Sequence, residues 1–210
     1  MVSPDGEHAE VARAREAEHR ARNTLQLISS LILLQGRHSP DAATGPTMAS
    51  LLTRVAAVSA AHRHTVWIDD REQVELSALI LEIVGDLAKS ASRDGVTIEL
   101  DLEPVLAPGR LAAPLALLIS ETMGNALGHA FPDGRTGRIR VALCRRADKL
   151  ELGIDDDGNG APSPTPTTGF GLTVVKLMVQ QIRGQLDMTA LHPGFRVSII
   201  APLPATQSKR

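Results

Sequence analysis

Apolar residues recur at helical spacing over the first third of the chain. From about Glu7 to Gln35, Ala14, Ala17, Ala21, Leu25, Ile28 and Ile32 form a stripe that Leu27, Leu31 and Leu34 widen. Gly36 stops the pattern, and Ser39-Pro40 supplies an N-cap followed by proline at a first helical position. Gly45-Pro46 delays the second helix, which runs from Thr47 to about His64 on Leu51, Leu52, Val55, Val58 and Ala61. A two-helix hairpin has too little core to stand alone. Doubling it across a dimer axis gives a four-helix bundle that would cover the stripe.

After Trp67-Ile68-Asp69-Asp70 the period changes to two. Strands are expected around Val96–Leu102, Ile139–Leu143, Leu150–Ile154 and Phe195–Ile199, with Arg145–Asp148 as a hairpin corner between the middle pair. Helical segments near Ser77–Ser92, Arg110–Ala130 and Phe170–Arg183 separate them. The expected class is α+β: the N-terminal helical hairpin over residues 1–68, then an α/β sandwich over 69–210 with one sheet covered on one face. Three prolines between Ala161 and Thr168 forbid regular structure there.

Composition narrows the function. With 43% apolar and 22% charged residues among 210, the chain can bury a core. A net charge of −2, no Tyr and a single Trp argue against a nucleic-acid partner. The lone Cys144 excludes an internal disulfide and a cysteine-based zinc site. The charged N-terminus does not read as a signal peptide, and no uninterrupted apolar run reaches the ~18 residues of a membrane span. The expectation is therefore a cytoplasmic protein without membrane insertion, which receives any input through another molecule such as an upstream sensor protein.

Three segments of the second part carry candidate chemistry. On the apolar helix over 111–130, Glu121, Asn125 and His129 fall at i, i+4 and i+8, so a carboxylate, an amide and an imidazole share one face. That face is either plain solvent surface or a set of groups aimed at a bound phosphate or its magnesium ion. Asp155-Asp156-Asp157-Gly158-Asn159-Gly160 ends a strand, as a simple Asp-Gly turn or as a pocket edge where a carboxylate faces inward. Gly169-Phe170-Gly171 opens a helix, as a hinge or as a set of backbone N–H groups presented to phosphate.

Their order, an ExxxN helix, a strand ending DxGxG and a GxG helix start, resembles the Bergerat-type ATP-binding domain shared by histidine kinases, gyrase, Hsp90 and MutL. That resemblance implies ATP and Mg2+ between helices and sheet. Asn125 would bind magnesium, Asp156 would accept from the adenine amino group, and Gly158 and Gly160 would shape the adenine pocket. Gly169 and Gly171 would approach the phosphates beneath a short lid at 161–168, Glu121 would be catalytic, and His129 would contact the nucleotide. In the hairpin, Glu18-His19-Arg20-Ala21-Arg22-Asn23-Thr24-Leu25-Gln26 is similar to the phosphoacceptor segment of the HWE and related HisKA second-type histidine kinases. Arg54-Val55-Ala56-Ala57-Val58, His62 and Asn125–Pro132 resemble the same branch. The resemblance departs at Gly128, where the family usually carries lysine or another polar residue.

On its helix His19 shares a polar side with Glu16, Asn23, Gln26 and Ser30, opposite the apolar seam. An exposed, near-neutral imidazole there is a competent nucleophile. Glu18 or Glu16 would take its proton, and Asn23 would position a water for the reverse reaction. The bland alternative is a surface histidine. His62 and His64, two apart with no cysteine cluster nearby, do not make a metal site.

The leading reading is a homodimeric, ATP-dependent protein-histidine kinase of a two-component system. It would phosphorylate His19 and pass the phosphoryl group to a response-regulator aspartate. The runner-up is a histidine phosphotransferase relay module with a degenerate nucleotide domain, which Gly128 favours. A serine kinase of the anti-sigma type shares the ATP domain but has no use for the His19 hairpin.

Overall fold

The computed structural model describes residues 48–91, 94–160 and 170–203. The segment expected as a first helix, with Glu18, His19 and Asn23, lies outside the described residues, as do Gly169 and the proline-rich segment 161–168. The described part forms one compact unit. In chain order it holds α1 (Met48–His64), β1 (Thr65–Ile68), β2 (Arg71–Glu75), α2 (Leu76–Ala91), β3 (Val96–Leu102) and β4 (Leu106–Pro108). Then follow α3 (Ala112–Asn125), β5 (Gly137–Arg146), β6 (Lys149–Asp156), α4 (Phe170–Gln181), β7 (Gln185–Ala190) and β8 (Phe195–Pro202).

The larger sheet has the order β3-β5-β6-β8-β7. Every pairing in it is antiparallel except β3 with β5, which run parallel from Val96 opposite Gly137 to Leu102 opposite Leu143. A parallel pair needs a long crossover, and this one carries α3. The sheet's alternation sets its two faces. Ile139, Val141 and Leu143, Leu150, Leu152 and Ile154, and Val197, Ile199 and Ala201 are buried. The intervening residues reach the other face, where Arg140 pairs with Asp101 at 2.7 Å and Arg196 with Asp155 at 2.8 Å. This is the expected α+β sandwich, covered on one side.

Helix α3 is its central beam, touching α1, α2 and α4. Leu115, Leu117, Leu118, Ile119 and Met123 point all round it and all are buried, as a helix enclosed on every side requires. The stretch Gly109–Ala130 is in fact long and apolar enough by length and composition to cross a membrane, but most of it is buried inside the protein. Its apolarity serves the core. Beyond Asn125 the helix widens into a π turn over Ala126–Ala130, an interruption that recurs at functional sites.

Sequence patterning left out one sheet and one edge strand. Trp67–Asp70 is a hairpin tip: β1 and β2 pair antiparallel, and Asp69 and Asp70 both turn left-handed at φ 49° and 57°, the geometry of a tight two-residue connection. With β4 they form a separate three-stranded sheet. The missed β7 is an edge strand whose short alternation of Leu186, Met188 and Ala190 is broken by no turn signal. Helix α4 ends at Gln181, two residues early. Arg183 takes φ 54°, and the Gly184 amide returns to the Val179 carbonyl at 2.8 Å, closing the last turn.

Candidate nucleotide site

The end of β6 is fastened to the end of the α3 helix. The Asn159 amide donates to the Ala130 carbonyl at 2.9 Å. A Cβ on Gly158 would stand 2.3 Å from that same oxygen, so only glycine lets the strand come this close. Gly160 turns at φ +73°, and a Cβ there would meet the Gly194 carbonyl at 3.0 Å. Gly194 in turn lies against β6, where an added Cβ would fall 1.8 Å from the Asp156 carbonyl. Three glycines thus bring the backbone in around Asp156 on two sides.

Asp156 is half-buried, and its Oδ1 accepts from the Gly158 amide at 2.9 Å. Burial pushes its carboxyl above the ordinary Asp value; the Gly158 and Phe195 amides pull the other way, and the charges of Asp157 and Asp155 add to the rise. A carboxylate has room for more donors than two amides supply. Asp157 faces elsewhere, accepting from the Arg138 amide at 2.7 Å, while Arg135 bonds to Asn159 Oδ1 and to the Asp157 carbonyl. Of the three aspartates, Asp156 is the one whose carboxylate is turned back into the glycine-lined turn.

The second half of the site lies on α3. Asn125 and His129 are exposed beside the π turn. A Cβ on Gly171 would stand 2.7 Å from Glu121 Oε2 and 3.8 Å from the Asn125 amide group. The start of α4 therefore lies directly over Glu121 and Asn125, which the sequence separates from it by some fifty residues. Glu121 itself is held from a third direction. Arg54 of α1 grips it with two parallel bonds, Nε to Oε1 at 2.5 Å and Nη2 to Oε2 at 3.1 Å, the fork geometry peculiar to arginine. The same guanidinium lies over the Phe170 ring at 4.5 Å.

The described residues thus bring Glu121, Asn125 and Gly171 together, and tie Gly158, two residues past Asp156, to Ala130 at the end of the π turn that follows the same helix. Among the described residues no group of three His, Cys, Asp or Glu stands ready to hold a metal ion. The donor set fits magnesium nonetheless, because that ion commonly binds through one or two protein oxygens and a substrate's phosphates. Sequence reasoning does not identify Arg54, Gly194 and Arg135 as site-forming residues. For Gly194 the Pro-Gly turn was a signal without a partner. Arg54 was visible only as part of a resemblance, and nothing local said that its side chain reaches Glu121.

This fold and this convergence of motifs define a nucleotide-binding domain. Residues 111–205 match the family of histidine kinase-, DNA gyrase B- and HSP90-like ATPases. Residues 16–91 match a second family, HisKA_2, described as histidine kinase. Carrying both domains, the chain belongs to the histidine kinases of the HisKA_2 branch.

Blue-light-activated histidine kinase 2 of Erythrobacter litoralis is 28% identical over 96% of this chain. The sensor histidine kinase PdtaS of Mycobacterium tuberculosis is 31% identical over 91% of it. The chain spans 60% of the first relative's length and 40% of the second's. The solved histidine kinase domain of the E. litoralis EL346 blue-light activated kinase superposes with a TM-score of 0.73 at 26% identity, covering 90% of this chain and 92% of that one.

Proposed function

We propose that the chain is an ATP-dependent protein-histidine kinase core, with residues 1–68 as the dimerisation and phosphotransfer hairpin and 69–210 as the ATP-binding part. It works as a homodimer, phosphorylates His19 and hands the phosphoryl group to an aspartate of a response-regulator receiver domain. The observation that supports this most is the packing of Gly171 onto Glu121 and Asn125. It joins a backbone fit for phosphate to a carboxylate and an amide, beside a turn that presents Asp156.

In this reading the Asp156 carboxylate accepts from the adenine amino group, and Gly158 and Gly160 leave space for the ring. The backbone of Gly169 and Gly171 donates to the phosphates, where N–H groups at a helix start favour anions. His129 contacts the nucleotide from the exposed side. Asn125 would hold the magnesium ion that arrives with ATP, which when bound would supply charge neutralisation at the phosphates. A ring nitrogen of His19 attacks the γ-phosphorus in line. The N–P bond forms, the bond from phosphorus to the ADP oxygen breaks, and the imidazole proton passes to Glu18 or Glu16. A receiver aspartate then attacks the phosphorus, its O–P bond forming as the N–P bond breaks, and the proton held by the glutamate returns to the ring nitrogen, leaving His19 neutral. Glu121 stands near the transferring group and Asn23 beside the acceptor, so positioning and charge do most of the work.

The test is incubation of the full chain with γ-labelled ATP and magnesium, beside His19→Ala and Asn125→Ala. The expected label is stable to alkali and lost in acid, and absent from both variants. Label retained by His19→Ala overturns the assignment of the acceptor. No label and no ATP binding in the wild-type chain overturns the kinase. Transfer of phosphate onto His19 from a phosphorylated receiver would then establish the relay module that Gly128 favours.

A further inference from the structure

The geometry points to Arg54 as a positioning residue for phosphoryl transfer. By gripping Glu121 and lying on Phe170 at once, it sets the carboxylate against the start of α4. The inference rests on the kinase reading above and adds a residue of the helical part of the chain to its reacting centre.

Arg54 sits on α1, inside the HisKA_2 match, whereas Glu121 and Phe170 lie inside the ATPase match. Its side chain is 5% exposed and that of Glu121 10%. A guanidinium this deep in the protein loses its hydration and is retained only where its donors are met. Here they are met by a purpose: Nε and Nη2 take both oxygens of Glu121, Nη1 reaches Ser50 Oγ at 3.3 Å, and the flat face covers Phe170. Fixing two oxygens fixes the plane of the carboxylate as well as its place. A single point charge would leave that plane free to turn.

The fit extends to Gly171. A side chain there would have to push the carboxylate aside, because a Cβ would lie 2.7 Å from Glu121 Oε2. The carboxylate is thus enclosed by the fork on one side and by the α4 backbone on the other. Phe170, the first residue of α4, is held by the same cation. Arg54 therefore orients two neighbours of the phosphate site without touching substrate. Displacement of a reacting group by about 1 Å is enough to cost on the order of a hundredfold in rate.

The test is a double-mutant cycle on the full chain with Arg54→Met, Arg54→Lys, Glu121→Gln and the pairs, reading the autophosphorylation rate at saturating ATP and the KM for ATP. Arg54→Met should lower the saturated rate by about a hundredfold and shift KM far less. Arg54→Lys, with charge but no fork, should recover only part of the rate. Because Arg54 acts through Glu121, the Arg54→Met/Glu121→Gln pair should be little slower than Glu121→Gln alone. Multiplicative losses in the pair, a loss confined to KM, or full recovery by lysine would each overturn the inference while leaving the kinase in place. If Arg54→Met fails to fold, as judged by circular dichroism, the lysine cycle decides alone by the same criteria. A wild-type chain that takes up no label overturns the kinase reading and this one with it.

Discussion

Asp156, which the proposed function sets against the adenine amino group, carries a charge that its own burial works against. Burial raises its carboxyl, so ionisation is disfavoured in the folded chain relative to the unfolded one. Its contribution to stability is fully present below the ordinary Asp value and is lost as pH rises through the raised one. Asp156→Asn removes that loss. The variant should therefore melt at the same or a higher temperature than the wild type at neutral pH, with the difference closing in acid. It should bind ATP about tenfold more weakly or worse, since a hydrogen bond to a charged acceptor is gone. Melting curves against pH and a titration with ATP check both halves; a variant that loses stability at neutral pH would show that Asp156 is structural.

At the scale of elements, the entry into α2 depends on one carboxylate. Glu75 ends β2, and its oxygens accept from the Ser77 hydroxyl and amide, the Ala78 amide at 2.7 Å and, from the β3–β4 connection, the Val105 amide at 3.1 Å. Burial alone would raise this carboxyl, but the hydrogen bonds outweigh it and the net shift is downward. A lowered carboxyl adds stability above its unfolded value, about 4.3, and that stability is lost as pH falls through the folded value. Glu75→Gln keeps the shape and removes the charge, and should cost about 1 kcal/mol. Urea unfolding at neutral pH should show the loss, and repetition in acid should show wild type and variant converging.

For the whole molecule, α1, inside the HisKA_2 match, packs against α3, inside the ATPase match. Arg54 is one bond between them; Arg63 and His64 at the end of α1 both engage Glu82 of α2, the latter at 2.6 Å. Motion of α1 would therefore reach the nucleotide site through packed and ion-paired contacts. The proposed bundle requires a second copy of the chain. Light scattering should give twice the 22.3 kDa of one chain, and Mg-ATP at about 100 times its Kd should raise stability by about 2.7 kcal/mol. A monomer at micromolar concentration would remove the bundle from the proposal.

The sequence by itself determined the class of fold, the places of α1 to α4 and the four central strands, because burial on one face writes a period of 3.6 or 2 into the chain. It also marked Glu121, Asn125, Asp156 and the glycines as candidates, through the order of three motifs that are each weak alone and the family resemblance which that order carries. It did not reveal the Asp69-Asp70 hairpin, whose left-handed pair carries no glycine, nor β7, whose edge position leaves half its residues polar. Tertiary structure alone decided that Gly194 closes on Asp156, that Gly171 lies on Glu121, and that Arg54 crosses 67 positions of sequence to hold the same carboxylate. Periodicity reports which face of an element is buried. Which distant side chain meets that face follows from packing, and an ion pair leaves no periodic trace.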